Sequence, residues 1–522
     1  MLEEIKLNEE RYQIKNRLLL ASVFVTGSAV LIIEIIAIRI LAPYYGNTIY
    51  TTSSVIGTVL AALSLGYYVG GRLSDKYPNH SFFYGIIFIS GLSIIFVQLL
   101  GATIIPYLSL LFSIVVGPLI SSIVIFFLPS FLMGMLSPFA IKLYKKDQGQ
   151  DRIGSHSGEV FFWSTIGSIT GSLLSGFVFI PHFGINLIII LTGIAISVWG
   201  LCGFLICKAK NPKTLISFIL FFIFLIFLAW FKSLGIQQKP SNVIYEKDGV
   251  YEKIKIIEGD WQGHPARFLF QDKSRSAAMY IDSDELLYTY TKYYQLYKLI
   301  NPKATAAFLV GGGAYSIPKA LLKDSQDMQV DVSEIEPELF LLAQKYFNLQ
   351  ENDHLSNYTE DGRRWLNKSQ KKYDLIVSDV YYSFLSIPIH FTTKEFFELA
   401  KNRLNQDGVF VGNFAGDLDA TSPSFIFSEI KTFKNVFPNS YFFAVDSASS
   451  KDPQNIIFLG INGTKRIDFE SDLVLNNSEA IIQSLQQKNI DISTVDFLKY
   501  KEITDNFSPV EYLVSKVINK WH

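Results

Sequence analysis

The sequence predicts two structural classes in one chain: a multi-pass α-helical membrane domain, followed by an α/β domain built on a parallel, doubly wound sheet. Two observations lead to this prediction. Residues 18–234 are strongly apolar and rich in Ile, Leu and Phe, whereas the rest of the 522-residue chain has the mixed composition of a soluble domain. From residue 305 onward, strand and helix patterns alternate, which is typical of a parallel sheet covered by helices.

Charge and cysteine content exclude several classes of function. The formal net charge is −1, so no overall basic field predicts a nucleic-acid partner. The two cysteines, Cys202 and Cys207, lie five residues apart in one apolar stretch and do not share a helix face. We therefore expect neither a disulfide nor a metal site. The first apolar run is too long for a secretory signal peptide.

The membrane domain is predicted over residues 18–236, after a charged surface segment at 1–17. Each crossing needs about twenty apolar residues. The segment 107–116 is too short to cross, and we expect it to be interfacial or re-entrant. About seven membrane helices are predicted, at 18–41, 53–71, 82–105, 119–143, 160–180, 185–207 and 214–234.

Two features inside the membrane domain stand out. The run Gly167-Ser-Ile-Thr-Gly171 has the small-residue spacing that lets helices pack closely. Glu34 and Arg39 lie in the first span, where an ionisable side chain is costly and usually faces a partner or a water-filled cavity. A functional role for Glu34 is one open interpretation, and Arg39 can also extend to the nearby interface.

The soluble half is predicted to begin with a small β-sheet subdomain and a helix at 237–300. Alternating residues such as Lys253-Ile-Lys-Ile-Ile257 indicate strands, and 285–300 has a helical period. The α/β domain is predicted over 301–522. Its expected strands are 305–310, 328–333, 373–378, 408–413, 439–446 and 455–460, and its expected helices are 315–323, 337–347, 361–367, 393–403 and 423–435.

A glycine turn and an acid indicate a nucleoside site. The first strand of the α/β domain ends in Gly311-Gly-Gly313, and the next strand ends at Glu334. Glycine lets the backbone approach a ligand closely, and the acid can accept ribose hydroxyls. No Gly-Lys-Ser/Thr follows, which argues against a phosphate-binding loop. The spacing also departs from Gly-x-Gly-x-x-Gly, so a dinucleotide is the weaker interpretation.

Two further acids are interpreted as lying at the strand ends of the same sheet. Asp361 can accept a hydrogen bond from an exocyclic amine such as that of adenine. Asp379 comes directly after the strand 373–378, where a carboxylate can remove a proton from an attacking amine or position a cationic substrate. Because the strand ends of a parallel sheet meet at one edge, we expect Glu334, Asp361 and Asp379 to share a ligand crevice.

Five motifs together resemble the spermidine synthase (polyamine aminopropyltransferase) family over about residues 240–465. They are Val310-Gly-Gly-Gly313, Glu334-Ile-Glu-Pro337, Asp361-Gly362, Tyr373-Asp-Leu-Ile-Val-Ser-Asp379 and Phe391-Thr-Thr-Lys-Glu-Phe396. The whole chain resembles bacterial proteins that fuse membrane helices to such a domain, and Arg72-Leu-Ser-Asp75 and Thr504-Asp-Asn-Phe-Ser-Pro-Val-Glu511 fit that group. The resemblance implies a Rossmann-like fold of the S-adenosylmethionine-dependent methyltransferase type.

The resemblance also implies a reaction. S-adenosylmethionine or its decarboxylated form would be the co-substrate, without a metal. Asp379 would deprotonate the amine that attacks the carbon next to sulfur, releasing methylthioadenosine. Tyr288, Tyr382 and Arg363 fall at or beside substrate-binding positions. The positions that would hold the co-substrate are Gly311, Gly312, Gly313, Glu334, Asp361 and Gly362.

The sequence departs from the family pattern at three positions. Ala314 stands where the family carries an aspartate for the amino group of the donor, and Tyr382 where a second aspartate anchors the polyamine. Thr289 replaces the usual Gln or His. Because polycations need carboxylates, these changes weaken the case for putrescine. Arg363, next to Asp361, could instead bind the carboxylate of S-adenosylmethionine.

The sequence thus predicts a membrane-embedded transferase of polyamine biosynthesis type. The alternatives are a cyclase, lyase or methyltransferase acting on S-adenosylmethionine, and a transporter or sensor that binds a nucleoside without turnover. Expected partners are the lipid bilayer and a small-molecule amine or nucleoside, with a homodimer left open.

Two features of the sequence disagree about the side of the membrane on which the soluble half lies. Basic residues cluster before the first span and in every second loop, which places the N-terminus in the cytoplasm. Seven crossings would then put the α/β domain outside, whereas nucleoside cofactors are cytoplasmic. Either the number of crossings is wrong, most simply at segment 107–116, or the α/β domain faces outward. We favour a multi-pass cell-membrane protein with a cytoplasmic catalytic domain.

Overall fold

The computed structural model describes residues 2–148, 153–208, 242–380, 387–421 and 423–518. The chain divides into two compact units, Met1–Pro240 and Ser241–His522. The first is helical, and the second contains both sheets of the described chain.

Long apolar helices make up the first unit. Six helical stretches of the described residues are long and apolar enough to cross a membrane. The predicted seventh span, 214–234, lies outside the described residues. The helices are α1 (Leu2–Tyr45), α2 (Ile49–Lys76), α3 (His80–Leu111), α4 (Gly117–Gly134), α5 (Leu136–Gln148), α6 (Ile153–Leu174) and α7 (Ile185–Lys208), with a π-helical turn, Ser175–Phe179, and the short helix Ile180–His182 after α6.

The first half of the segment 107–116 belongs to α3 and is not a separate re-entrant element. Helix α3 continues past Pro106 to Leu111, so residues 107–111 extend an existing helix. Glu34 is half-buried on α1. Among the described residues it forms no ion pair, and its role stays a hypothesis.

Glycines bring pairs of these helices into close contact. A Cβ atom at Gly167 would lie 2.1 Å from the carbonyl oxygen of Phe24, so only glycine lets α6 approach α1 this closely. The hydroxyl of Ser28 donates a hydrogen bond to the carbonyl oxygen of Gly167 at 2.7 Å across the same contact. The predicted small-residue seam is therefore confirmed as a packing surface.

The second unit begins with a four-stranded antiparallel sheet in the order β1-β2-β3-β4. Apolar side chains of its inner face, including Ile254, Ile256 and Leu269, pack against Leu339 and Phe347 of the following α/β layer. The strands are β1 (Val243–Asp248), β2 (Lys253–Trp261), β3 (His264–Gln271) and β4 (Ser274–Tyr280). The helix expected at 285–300 is a 3₁₀ helix, Thr289–Leu299.

A seven-stranded sheet forms the centre of the α/β layer, in the order β10-β11-β9-β8-β5-β6-β7. Strands β5 to β9 run parallel, and β10 and β11 are antiparallel additions at one edge. The strands are β5 (Ala306–Val310), β6 (Gln329–Ser333), β7 (Leu355–Tyr358), β8 (Tyr373–Ser378), β9 (Leu404–Gly416), β10 (Ser440–Ala444) and β11 (Gln454–Ile461).

Helices connect and cover these strands. They are α8 (Ser316–Asp324), α9 (Pro337–Tyr346), α10 (Gly362–Lys368), α11 (Lys394–Asn402), α12 (Phe425–Val436), α13 (Asp472–Leu475), α14 (Ala480–Gln483), α15 (Leu485–Lys488) and α16 (Val510–Ile518), with 3₁₀ turns at Ile389–Phe391 and Phe497–Lys499. The predicted doubly wound, Rossmann-like fold is confirmed. Strand order reverses between β5 and β8, and ligands of such sheets bind at the strand ends beside this reversal.

Candidate active site

A cavity of about 230 Å³ lies at the carboxyl ends of β5, β6 and β8. It is the crevice predicted by the reversal of strand order. Among the described residues, the structure brings eight predicted site residues to its wall: Tyr288, Gly311, Gly312, Gly313, Glu334, Asp361, Gly362 and Asp379. Tyr382 lies outside the described residues.

The glycine turn after β5 touches the neighbouring strand. Gly311 has a φ of +89° and Gly313 a φ of +52°, which are left-handed conformations that favour glycine. A Cβ atom at Gly311 would lie 2.6 Å from the carbonyl oxygen of Asp379. The amide of Asp379 in turn donates to the carbonyl oxygen of Val310 at 3.1 Å. The turn therefore fixes the start of the segment that carries Asp379.

Glu334 organises the other side of this turn. Its Oε2 atom accepts hydrogen bonds from the amides of Gly312 at 2.8 Å and Gly313 at 3.1 Å, and its Oε1 atom accepts from the amide of Glu336 at 2.9 Å. Burial raises the pKa of Glu334, and these three amides oppose the rise. Oε1 keeps one acceptor site for a further donor, such as a ribose hydroxyl.

Asp361 starts helix α10 and faces a histidine. Its Oδ1 atom accepts from the amide of Arg364 at 2.9 Å, and its Oδ2 atom lies 2.8 Å from Nε2 of His390. Burial favours the neutral acid, but the hydrogen bonds from His390 and the helix amides outweigh it and hold the pKa of Asp361 below its usual value. His390 also lines the cavity, so it is a further site residue.

Asp379 is held by two polar neighbours at the end of β8. Its Oδ1 atom accepts a hydrogen bond from Nδ2 of Asn413 at 3.0 Å, and the hydroxyl of Tyr290 lies within hydrogen-bonding reach of the same carboxylate. Asn413 is itself oriented by Asn455, whose Nδ2 donates to its Oδ1 at 2.9 Å. Burial raises the pKa of Asp379 to about 6, against these two hydrogen bonds. This acid can therefore change its protonation state near neutral pH.

Tyr290, Asn413 and Asn455 were not predicted as site residues. Asn413 is only 8% exposed in the buried strand β9. A polar side chain inside the apolar run 409–414 is the signal that could have identified it, because a buried amide needs hydrogen-bond partners. Tyr290 could have been noticed only as a neighbour of Tyr288.

Arg363 does not join the other predicted residues. Its Nη1 and Nη2 atoms donate to the two carboxylate oxygens of Asp505 at 2.7 and 2.5 Å, and Nη1 also donates to the carbonyl oxygen of His390 at 2.9 Å. The side chain is absent from the cavity wall of the described residues. In the structure Arg363 ties the segment around Asp505 to the one that carries His390, and its substrate-binding role stays a prediction.

The Asn413→Leu variant tests whether Asn413 positions Asp379 and tunes its charge. Because the hydrogen bond from Asn413 lowers the pKa of Asp379, its loss should raise that pKa further. We expect kcat to fall about tenfold at pH 7 and to recover at higher pH.

Asn405→Leu is a matched control for this variant. Nδ2 of Asn405 donates to Oδ1 of Asp374 at 2.8 Å, which is the same kind of bond between the same two strands at their other ends. Its pH profile should keep the wild-type midpoint. An unshifted profile in Asn413→Leu would remove the positioning role.

The site and fold have known relatives. The spermine/spermidine synthase domain matches residues 296–452. The polyamine aminopropyltransferase of Vibrio vulnificus is 26% identical over 288 residues, which cover 52% of this chain and 92% of that protein. Polyamine aminopropyltransferase 2 of Aquifex aeolicus is 22% identical over 410 residues, which cover 76% of this chain and 78% of that protein.

A solved structure, a probable spermidine synthase from Corynebacterium glutamicum, is 19% identical, with a TM-score of 0.42 over 51% of this chain and 97% of that chain. The match to Aquifex aeolicus covers more of this chain than the second unit alone, so it extends into the helical unit. The second unit therefore carries a spermine/spermidine synthase domain over residues 296–452, and the chain is similar to polyamine aminopropyltransferases, which are transferases.

Proposed function

We propose that the protein is a membrane-embedded aminopropyltransferase-type enzyme that binds a sulfonium nucleoside and releases methylthioadenosine. The observation that carries this proposal is the convergence of Glu334, Asp361 and Asp379 on one cavity beside the glycine turn. Glu334 would accept from the ribose, and Asp361 from the adenine amine. Glycine at 311–313 leaves room for the backbone to approach the nucleoside.

In this reaction Asp379 acts as the general base. The acceptor amine attacks the carbon next to sulfur, a carbon–nitrogen bond forms, and the carbon–sulfur bond breaks. Its electron pair stays on sulfur, which becomes the neutral thioether of methylthioadenosine. The proton lost by the amine goes to Asp379, whose pKa of about 6 leaves it ionised at neutral pH.

The charges of the cavity favour the decarboxylated donor. Four acids line it, Glu334, Glu360, Asp361 and Asp379, whereas the described part of the wall contains no Lys or Arg. The sequence at 381–386 contains none either. A donor with a carboxylate would therefore meet mainly like charges, while one that carries only an ammonium and the sulfonium would not.

Membrane embedding is part of the proposal. Six apolar helices of the described residues could cross a bilayer. An even number of crossings returns the chain at Lys208 to the side of its N-terminus, which the basic loops place in the cytoplasm. The predicted span 214–234 follows Lys208 and lies outside the described residues, so the crossings alone do not place the α/β domain. We place it in the cytoplasm because its proposed co-substrate is a nucleoside.

Incubation of the full-length protein with each donor and an amine tests the proposal. We expect methylthioadenosine, detected by mass spectrometry, to form faster from decarboxylated S-adenosylmethionine than from S-adenosylmethionine. Formation of S-adenosylhomocysteine would instead indicate methyl transfer. Saturable binding of both donors without any product would favour the sensor interpretation.

A further inference from the structure

The region next to Asp379 is an aromatic wall that leads away from the catalytic acid. Tyr290 lies beside Asp379, and its ring stacks on that of Tyr288 with the ring centres 5.8 Å apart. The ring of Tyr288 in turn meets that of Trp261 edge to face, also at 5.8 Å. Tyr288 and Tyr290 both line the cavity. An acceptor that attacks from Asp379 would extend along this wall.

The far end of the aromatic wall carries a positive charge. The guanidinium carbon of Arg275, on β4, lies 5.8 Å from the ring centre of Trp261 and 5.2 Å from that of Phe268. The same guanidinium lies within hydrogen-bonding reach of the hydroxyl of Tyr288. Arg275 is exposed, so it can be reached by a ligand without rearrangement of the core.

Four acids of neighbouring segments have other partners. Glu258 pairs with Arg267, Glu285 with Lys292, and Asp284 with Lys319. Asp260, next to Trp261, accepts from the amide of Gly263. In the described part of the chain, no salt bridge joins Arg275 to any of these carboxylates.

The other acids of the cavity are engaged at the donor end. Glu334 accepts hydrogen bonds from three backbone amides, and Asp361 faces His390. Glu360 forms salt bridges with Arg364 and Lys368. Asp379 therefore remains as the acid for the attacking nitrogen, and the described cavity wall contains no fifth acid for another ammonium.

We propose that the acceptor is an amine with a carboxylate or similar anionic group at its far end, rather than a diamine or polyamine. The attacking nitrogen would lie at Asp379, and the anionic end would reach toward Arg275. This assignment rests on the aminopropyl transfer proposed above. A second ammonium at the same place would face the guanidinium and would be repelled by it.

Two acceptors of equal length test the charge at the far end. Putrescine and 4-aminobutyrate differ mainly in carrying an ammonium or a carboxylate at that end. With decarboxylated S-adenosylmethionine and the full-length protein, we expect kcat/KM for 4-aminobutyrate to exceed that for putrescine by about tenfold or more. Mass spectrometry should find the aminopropyl group on the nitrogen of 4-aminobutyrate.

Charge reversal at Arg275 makes the test specific. The Arg275→Glu variant should invert the preference, and Arg275→Gln should reduce it mainly through the KM for 4-aminobutyrate. Lys303→Glu changes the net charge equally at an exposed position before β5, away from the cavity, and should keep the wild-type preference.

Two outcomes contradict the proposals in different ways. Equal use of both acceptors, or preference for putrescine that Arg275→Glu leaves unchanged, would overturn the assignment of the acceptor while leaving aminopropyl transfer intact. Absence of methylthioadenosine with every acceptor, or formation of S-adenosylhomocysteine, would instead overturn the proposed reaction itself.

Discussion

The Asp379→Asn variant is expected to lose between about 100-fold and 10,000-fold in kcat while it keeps its affinity for methylthioadenosine. Asparagine cannot accept the proton of the attacking amine, but it preserves the size of the side chain and can still accept the hydrogen bond from Asn413. Initial rates of methylthioadenosine release and equilibrium binding of methylthioadenosine measure the two quantities separately. A variant with the wild-type kcat would exclude Asp379 as the base.

The same variant should change the dependence on pH. Because burial raises the pKa of Asp379 to about 6, the wild-type kcat should fall as the pH drops through 6 and the carboxylate takes up a proton. The residual activity of Asp379→Asn should lack this step. A wild-type midpoint near pH 4 would show that the cavity does not desolvate this acid.

Stability should move in the opposite direction to activity. The folded-state pKa of Asp379 lies above the unfolded value of about 3.9, so ionisation of this carboxylate destabilises the folded state. The destabilisation is absent below pH 4, grows between pH 4 and 6, and is fully present above pH 6. Asp379→Asn should therefore raise the free energy of unfolding by about 3 kcal/mol at pH 7 and by little at pH 4. Thermal unfolding at both pH values checks this sign.

Asp374→Asn is the matched control, since Asp374 lies at the other end of β8. Its carboxylate accepts from the amides of Thr305 and Ala306 and from Asn405. The substitution should lower stability and leave kcat unchanged. Opposite effects of the same substitution at the two ends of one strand would separate a catalytic acid from a structural one.

The Glu334→Gln variant is expected to bind methylthioadenosine at least about 100-fold more weakly. The carboxylate accepts from the amides of Gly312, Gly313 and Glu336. In glutamine, an NH₂ group replaces one of the two carboxylate oxygens. This group is a donor, so it would face backbone amides that are also donors. The glycine turn would lose its anchor, and the acceptor site proposed for the ribose would be lost as well.

Isothermal titration of the full-length protein with methylthioadenosine measures this loss. Glu338→Gln is the control, because Glu338 lies four residues along and pairs with Lys247 and Tyr245 outside the described cavity wall. Its affinity should equal that of the wild type. Undiminished binding by Glu334→Gln would mean that the nucleoside lies elsewhere.

The strands of the α/β layer could be predicted because most of them are short, buried apolar runs. In β5, Ala307, Phe308, Leu309 and Val310 are all at most 2% exposed, which produces a clear apolar signal. Strand β7 was missed because its four residues, Leu355–Tyr358, are only half-buried and include two polar side chains. Such an edge strand has little pattern to detect.

Glu334 and Asp379 could be predicted because each follows a predicted strand, and parallel strands bring their ends together. Asp361 follows β7, which was not among the predicted strands. The contacts that tune these acids could not be predicted. The hydrogen bond from Asn413 to Asp379 depends on the register of β9 beside β8, and no local sequence pattern predicts that register. Arg363 follows Asp361 closely in sequence, but its guanidinium is taken by Asp505, 142 residues away.

The most direct test of the account is an experimental structure of the full-length protein with bound methylthioadenosine. We expect the adenosine to occupy the cavity beside Gly312, with the ribose hydroxyls within hydrogen-bond distance of Glu334, the adenine amine near Asp361, and the sulfur on the side of Asp379. A nucleoside bound at another place, or a cavity that stays empty at saturating concentration, would contradict the account.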